Sequence, residues 1–416
     1  MGVFCIAAIL SYSDRQILSL LVDPIRADLH ATDVQIGLLQ GAAFALIYAV
    51  AGLGLGRAAD VLPRRMVIVT GVVVWSVATL ACGYATSFWT LFAARAAVGV
   101  GEAALAPAAM SIITDSFPAH RRGVGVGVFL MGMVAGAGGA LALGGAILQA
   151  AQSGALAGVP VIGALAPWRA GLVVLGLAGL PVAALALSVA EPARRHVLHA
   201  DGRASLGEAA RGLFALWRPL APLYIAMGLA NICDFAILNW TPTLLTRRFG
   251  VGVGEIGSVL GAVVIAGGVL GSFGAGFLAD RMVARSGAGA RLRLAVATMA
   301  AGVVGSLLMF APGPSVVFAL VGVWMLASTT GQSMGITVVQ EVAPGDARGL
   351  AASLVSLVNI GGGLALGAAL PALILDHVLG DPKAVATAVT LVALPCALAS
   401  TALYALAMAQ LRKHRA

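Results

Sequence analysis

The chain has 416 residues, of which 60% are hydrophobic and 10% are charged, and its mean hydropathy is +1.00. A soluble domain is about 45–50% apolar and about 25% charged, so this composition excludes a soluble globular protein. The net charge of +8 is scattered over the segments between apolar stretches, which argues against a nucleic-acid-binding groove.

Long apolar stretches predict an all-α membrane protein with twelve transmembrane helices. Each stretch can cross a hydrocarbon core of about 30 Å as one helix. The predicted spans are 2–27, 34–58, 66–86, 88–113, 123–150, 168–189, 219–246, 254–279, 291–311, 314–340, 347–375 and 384–409. The polar segment 191–218 divides them into a six-helix bundle at 1–190 and another at 219–416.

The polar segment itself contains one predicted helix. Ser205 and Glu208 have the spacing of a capping box, and an apolar face formed by Leu213, Phe214 and Trp217 follows them. This pattern predicts a short amphipathic helix on the inner membrane surface. A plain linker helix that contacts no lipid fits the pattern equally well.

The distribution of basic residues predicts the orientation. With both termini inside, the cytoplasmic loops hold eighteen of the 25 Arg and Lys residues and the external loops hold five, whereas Arg15 and Arg95 fall within spans. Cytoplasmic loops are enriched in Arg and Lys. We therefore expect a multi-pass protein of the cell (inner) membrane with both termini in the cytoplasm.

Acidic residues reveal an internal repeat. Asp60 ends the second span and Asp280 ends the eighth, 220 residues later, and the same offset relates Asp14 to Asp234. Two homologous six-helix halves with a substrate site between them are typical of secondary transporters.

Five charged residues lie well inside apolar spans, away from the span ends: Asp14, Arg15, Arg95, Glu102 and Asp234. A charge at mid-membrane depth costs roughly 2.5–3.5 kcal/mol, so such residues are candidates for a functional site. Arg95 is expected at the same membrane depth as Asp14, where it either pairs with Asp14 or binds a substrate anion. Glu102 is expected to be the acid without a fixed basic partner. We predict that Asp14 or Glu102 carries a proton; a static ion network is the alternative.

Other polar and large side chains within the spans are candidates for lining a cavity. They are Tyr12, Tyr48, Met131, Asn231, Asp234, Asn239, Trp240, Thr330, Gln332 and Asn359. Interhelical hydrogen bonds and packing explain such residues at least as well.

Several motifs resemble those of the major facilitator superfamily. Gly56-x-x-x-Asp60-x-x-x-Arg64-Arg65 resembles its cytoplasmic loop motif, although Val61 and Pro63 depart from the usual pattern, and Gly276-x-x-x-Asp280-Arg281 resembles the second copy. Arg95-x-x-x-Gly99-x-Gly101 and Gly132-x-x-x-Gly136-x-Gly138-Gly139 resemble the motifs of its fourth and fifth helices. The resemblance implies a cytoplasmic gate that includes Gly56, Asp60, Arg64, Arg65, Arg122, Asp280 and Arg281. In this gate Asp60 could pair with Arg64 or Arg65; a purely topological role is the alternative.

One branch of that superfamily is the most similar. Asp14-Arg15, Arg95 with Glu102, and Ser116-Phe-Pro118 followed by Arg122-Gly123 together resemble the Spinster branch. That branch is associated with sphingolipid and lysophospholipid transport. The resemblance therefore implies a small amphiphilic substrate of this kind.

These observations predict a secondary active transporter that works by alternating access, and not an enzyme. The sequence has no P-loop and no HExxH zinc motif, so we expect neither ATP nor a cofactor nor a metal. The expected partners are membrane lipids, the amphiphilic substrate and protons, without nucleic acid, and the protein is expected to be a monomer. The alternatives are a proton-linked carrier of small organic anions or drugs, and a non-transporting sensor or scaffold on the same fold.

Overall fold

The computed structural model describes residues 1–117, 122–156, 158–160, 162–193, 206–287, 289–344 and 347–415, and within these ranges it contains helices but no strand. The α-helices are α1 (Gly2–Gln16), α2 (Val22–Leu29), α3 (Asp33–Gln40), α4 (Ala42–Val61), α5 (Arg64–Gly83), α6 (Phe88–Glu102), α7 (Leu105–Ser116), α8 (Arg122–Gln152), α9 (Pro167–Leu187), α10 (Leu206–Ala215), α11 (Trp217–Phe249), α12 (Val253–Val269), α13 (Ala275–Ser286), α14 (Ala290–Gly302), α15 (Pro314–Val342), α16 (Arg348–Ser356), α17 (Ala365–Ile374) and α18 (Val385–Arg415). Shorter 3₁₀ and π turns extend several of them, at Ile17–Leu20, Leu270–Gly274, Val303–Ser306, Leu308–Phe310, Leu357–Leu364 and Leu375–Leu379.

The predicted all-α membrane architecture is confirmed. In the described ranges, eleven helical segments are long and apolar enough to cross a bilayer, and each corresponds to one predicted span. The remaining prediction, 291–311, is not one continuous helix. There α14 ends at Gly302, and two 3₁₀ turns continue the chain to Phe310.

The fourth predicted span is also interrupted. The sequence predicts one helix over 88–113, whereas the structure has α6 and α7 separated by Ala103 and Ala104. Pro107 has no backbone N–H to donate to the carbonyl of Ala103, so the regular hydrogen-bond ladder fails at this point. As a result, Glu102 is the last residue of α6.

The described residues pack into two compact units. The first contains Met1–Arg195, Thr241–Ile265 and Ala372–Lys383, and the second contains His196–Trp240, Ala266–Pro371 and Ala384–Ala416. The proposed boundary between two sequence halves stays a prediction, because the units follow packing rather than position in the chain.

Glycines permit the closest helix contacts in the first unit. An added Cβ at Gly101 in α6 would lie 2.5 Å from the backbone nitrogen of Trp75 in α5. One at Gly136 in α8 would lie 2.6 Å from the carbonyl oxygen of Ile9 in α1. Helices that approach so closely gain packing and weak polar contacts in lipid. The glycine motifs of the fourth and fifth spans therefore hold α5 on α6 and α1 on α8.

A glycine also makes a close contact at the interrupted ninth span in the second unit. A Cβ at Gly305 would lie 2.6 Å from the carbonyl oxygen of Leu320 and 2.7 Å from the backbone nitrogen of Trp324. The 3₁₀ turn at this point thus lies directly against the backbone of α15.

The short helix in the polar segment is present as α10. Ser205, the predicted cap, lies outside the described residues. Leu213 is buried, whereas Phe214 is 75% exposed and Trp217 is 53% exposed. Its position on the membrane surface stays a prediction.

Candidate functional site

Glu102 is the centre of a buried polar cluster in the first unit. Its Oε2 accepts hydrogen bonds from Ser11 Oγ at 2.7 Å and from Arg15 Nε at 2.8 Å, and both donors lie on α1. The Glu102 side chain is fully buried and the Arg15 side chain is 14% exposed. The other carboxylate oxygen, Oε1, is buried without a hydrogen-bond partner. The cluster therefore contains an ion pair with one carboxylate oxygen unsatisfied.

Aromatic rings surround the guanidinium of Arg15. Its central carbon lies 4.8 Å from the ring centroid of Tyr12, 4.5 Å from that of Phe44 and 4.9 Å from that of Tyr48. Ring faces attract cations, most strongly where water is excluded. The rings thus hold this guanidinium in place independently of Glu102. Of the predicted cavity residues, Tyr12 and Tyr48 belong to this cluster.

Asp14 is buried next to the cluster with a different partner. Its side chain is 1% exposed, and its Oδ1 accepts a hydrogen bond from Thr79 Oγ1 at 3.1 Å. The second oxygen, Oδ2, is buried without a partner. Among the described residues, no Arg or Lys nitrogen lies within 4.0 Å of this carboxylate.

Arg95 lies on α6, two turns before Glu102. It is 3% exposed, and its guanidinium lies over Phe44 at 5.3 Å from the ring centroid. Its Nε is buried without a hydrogen-bond partner. In the part of the chain that the structure describes, Arg95 forms no ion pair within 4.0 Å. A buried cation with an unused donor is suited to receive an anionic group.

The four predicted charged residues of the first half lie together, but their pairing differs from the expectation. The sequence suggests that Arg95 pairs with Asp14, whereas the structure pairs Arg15 with Glu102. Ser11 and Arg15 are one helical turn apart, so both reach Glu102. Asp14 is rotated by about 100° from Arg15 on α1 and instead reaches α5. Glu102 is therefore not the freer of the two acids.

Sequence reasoning missed three members of this cluster: Ser11, Phe44 and Thr79. The position of Ser11 one turn before Arg15 was an available signal, because residues four apart share a helix face. Phe44 and Thr79 lie on other helices and had no comparable signal.

Asp234 forms a separate polar site in the second unit. Its Oδ1 accepts a hydrogen bond from Trp324 Nε1 at 2.6 Å, and its Oδ2 accepts one from Ser328 Oγ at 2.7 Å. Trp324 and Ser328 are one turn apart on α15 and are fully buried. Both donors are neutral, unlike Arg15 beside Glu102.

Three predicted cavity residues lie on neighbouring helices of the second unit. Asn231 Nδ2 and Gln332 Nε2 both donate to the carbonyl oxygen of Met227, at 3.2 and 2.9 Å. Asn359 Nδ2 donates to Gln332 Oε1 at 3.4 Å, and its own Oδ1 is buried without a partner. These side chains therefore link α11, α15 and the π turn that follows α16.

Four other predicted cavity residues differ in exposure. Trp240 is fully buried and donates to the carbonyl oxygen of Ala368 at 3.0 Å. The Thr330 hydroxyl lies 2.7 Å from the carbonyl oxygen of Leu326 in its own helix and 3.1 Å from that of Gly271 in the turn before α13. Asn239 is 4% exposed, whereas Met131 is 46% exposed. The hydrogen bonds of Trp240 and Thr330 are those expected of helix-packing residues.

One short motif in α15 has the residue spacing of a hydrolase nucleophile motif but not the strand–turn–helix structure that such a motif requires. Gly331-Gln-Ser333-Met-Gly335 matches the Gly-x-Ser-x-Gly pattern of hydrolases. That pattern requires a sharp turn between a strand and a helix. Here the five residues lie inside one continuous helix.

At the end of the first unit predicted to be cytoplasmic, Arg64 is 1% exposed and binds two acids. It forms a very short contact with Asp115 at the end of α7, and its Nε donates to Glu191 Oε1 at 2.8 Å. The backbone N–H of Arg65 donates to Glu191 Oε2 at 2.8 Å. Burial tends to raise the pKa of Glu191, but the hydrogen bonds from Arg65 and Arg64 outweigh it and hold that pKa below its usual range.

The gate residues predicted from the loop motif are therefore only partly placed. The side chains of Asp60 and Arg122 lie outside what the structure describes, so the predicted pairing of Asp60 stays untested. An added Cβ at Gly56 would meet nothing within 4 Å. The sequence did not indicate that Asp115 and Glu191 are the partners of Arg64, because they lie 51 and 127 residues away.

The second copy of the motif also forms ion pairs. Arg291 lies 3.3 Å from Asp280 and 2.6 Å from Glu341, whereas Arg281 lies over the ring of Phe277 at 4.0 Å. The basic partner of Asp280 is thus a residue of α14 rather than its neighbour in the chain.

An ion network at the other end of the first unit was not predicted. Arg247 binds Asp23 at 2.7 Å and Asp33 at 2.8 Å, and Arg26 lies 3.7 Å from Asp33. Arg247 comes from α11, so this network joins two distant parts of the chain.

The sequence profile of the Major Facilitator Superfamily matches residues 4–368 of this chain. An MFS-type efflux pump of Mycolicibacterium smegmatis is 29% identical over 286 residues, which are 68% of this chain and 62% of the pump. Protein spinster homolog 3 of Danio rerio is 26% identical over 251 residues, which are 59% of this chain and 47% of that protein. The matches thus span less than two thirds of the length of either relative.

Among solved structures, a bacterial homologue of the human lysosomal transporter Spinster has the same fold. The TM-score is 0.77 with 24% identity, and the match covers 98% of this chain and 94% of the other. The expected resemblance to the superfamily and to its Spinster branch is confirmed.

Proposed function

Since the chain belongs to the major facilitator superfamily, we propose that this multi-pass membrane transporter moves a lysolipid or sphingolipid-like amphiphile and couples its movement to protons. The coupling groups in this proposal are Asp14 and Glu102, together with Arg15 and Arg95. The observation that carries the proposal is the presence of two buried acids, each with one carboxylate oxygen that has no hydrogen-bond partner.

Proton binding at Glu102 provides a physical route to coupling. A proton on Glu102 removes the negative charge that pairs with Arg15. The three aromatic rings still hold the Arg15 guanidinium, so this cation stays in place without a counter-ion. An anionic headgroup can then bind it, because a buried cation without a partner is unfavourable. Proton binding and anion binding thereby favour each other.

Arg95 supplies a second contact for an anionic group. Its guanidinium has a buried Nε without a partner and forms no ion pair within 4.0 Å among the described residues. The resemblance to Spinster proteins supports a lipid-like substrate, since one similar protein of Arabidopsis thaliana is named a probable sphingolipid transporter. The same free donor suits a small organic anion or drug, which is the second candidate, and the similarity to an efflux pump favours it.

Flux into liposomes tests the proposal. We expect uptake of a lysophospholipid to increase with an imposed pH gradient in the wild type and to lose that dependence in Glu102→Gln. The matched control is Glu255→Gln, which neutralises an exposed acid at the start of α12. Flux of small organic anions but not of lysolipid would support the second candidate. Flux indifferent to pH and to Glu102 would contradict the coupling, and no flux of any substrate would favour a scaffold.

We further propose that both termini are cytoplasmic, because that orientation assigns most Arg and Lys residues to cytoplasmic loops. In a variant whose four native cysteines are replaced by alanine, a cysteine introduced at Lys413 should then react with a membrane-impermeant reagent only from the inside. One introduced at Lys383 should react only from the outside. The opposite labelling pattern would overturn the orientation.

A further inference from the structure

We infer that Asp234 is a second proton-binding site, separate from the cluster around Glu102, and that Trp324 and Ser328 stabilise it in both protonation states. All three residues belong to the second unit, and both hydrogen bonds to the Asp234 carboxylate come from within that unit. The inference therefore goes beyond the coupling proposed above and does not depend on it.

No Arg or Lys of the described chain pairs with Asp234. Among the described residues, no Arg or Lys nitrogen lies within 4.0 Å of its carboxylate, and its two hydrogen-bond donors are neutral. The titratable groups that face it are Cys233 on its own helix and Tyr404 on α18. Tyr404 donates its hydroxyl to the carbonyl oxygen of Gly331 at 2.9 Å. A carboxylate within a membrane span and without a counter-ion is costly, and a bound proton removes that charge.

The two donors can satisfy Asp234 with or without the proton. An indole N–H only donates, so Trp324 holds Oδ1 in either state. A serine hydroxyl both donates and accepts, so Ser328 donates to the ionised carboxylate and accepts from the carboxylic acid. The hydroxyl hydrogen of Ser328 can then turn to the carbonyl four residues earlier. Thr329 and Thr330 already make such bonds in the same helix, at 2.6 and 2.7 Å.

The proton is exchanged with water, and no heavy atom has to move. Trp324 and Ser328 are fully buried, whereas Asp234 retains partial exposure. Gln332 lies one turn beyond Ser328 on α15 and receives a hydrogen bond from Asn359. Polar groups thus continue along the same face of α15 from the acid.

A metal ion fits the same site poorly. Hard cations require several oxygen ligands. The residues that contact Asp234 supply one hydroxyl oxygen, whereas the other contact is an indole N–H, which cannot bind a cation. The proton is therefore the cation that this geometry favours.

Infrared difference spectroscopy of the reconstituted protein tests the inference without any measurement of transport. Spectra recorded between acidic and alkaline pH should contain a carboxylic-acid C=O band that disappears on deprotonation. We expect Asp234→Asn to lose this band, and Ser328→Ala to keep it at a shifted frequency because its hydrogen-bond partner has changed. Asp14→Asn and Glu102→Gln, which alter the first cluster, should retain it.

Two results would overturn the inference. One is that Asp234→Asn has the same pH-dependent carboxyl bands as the wild type and that Ser328→Ala does not shift the frequency of any of these bands. The other is a band that sodium removes at constant pH when choline does not, because Asp234 would then bind a metal ion instead. Failure of pH-dependent flux in liposomes would contradict the proposed function while leaving this band in place.

Discussion

The ion pair between Arg15 and Glu102 allows an asymmetric prediction for stability. Arg15→Gln leaves the fully buried Glu102 carboxylate with only the hydroxyl of Ser11. Removing one partner of a buried ion pair costs about 3–5 kcal/mol, because the remaining charge is uncompensated. We expect a loss of this size in the free energy of unfolding.

Glu102→Gln should have a smaller effect. The remaining guanidinium of Arg15 still lies within 5 Å of the ring centroids of Tyr12, Phe44 and Tyr48. A cation–π contact is worth about 0.5–2 kcal/mol, so these rings offset part of the lost attraction. We expect Glu102→Gln to lose about 1–3 kcal/mol, and the double variant to lose less than the sum of the two single losses by at least about 1 kcal/mol.

Reversible unfolding in mixed micelles measures these free energies. The matched control is Asp28→Asn, which removes an ion pair to Arg169 from a carboxylate that is 41% exposed. The loss there should stay below about 1 kcal/mol, because exposed pairs are screened by solvent. Equal losses for Arg15→Gln and Glu102→Gln would refute the role assigned to the rings. Simple additivity in the double variant would refute the ion pair itself.

Two further predictions concern packing and pH. Gly101→Val should lower the free energy of unfolding by about 1–3 kcal/mol or more, because the added Cβ would meet the backbone of α5. The control is Gly56→Val, at a position with open space, which should leave the free energy of unfolding nearly unchanged in the same assay. Glu191 has a pKa below its usual range, so its stabilising contribution is present above its unfolded-state pKa and is lost as the pH falls through its folded-state pKa. Glu191→Gln should therefore flatten the acidic part of a stability–pH curve; an unchanged curve would mean that its bonds to Arg64 do not contribute.

Much of the candidate site could be predicted because its residues are charged while the neighbouring residues in the sequence are apolar. Asp14, Arg15, Arg95 and Glu102 are charges in apolar stretches, and such residues are conspicuous in any membrane sequence. Ser11, Phe44 and Thr79 are ordinary residues of membrane helices, and only their contacts reveal a role. Asp115 and Glu191 were missed for the same reason, since ends of spans commonly carry charges.

The sequence by itself determined the membrane class, the approximate spans and the residues that are costly in lipid. These properties depend on local composition and length, which can be counted along the chain. Only the tertiary structure decided that Glu102 pairs with Arg15, 87 residues away, while Asp14 hydrogen-bonds to Thr79. Such pairing depends on the rotation of each helix and on how closely glycines let two backbones approach, and neither can be read from one segment alone.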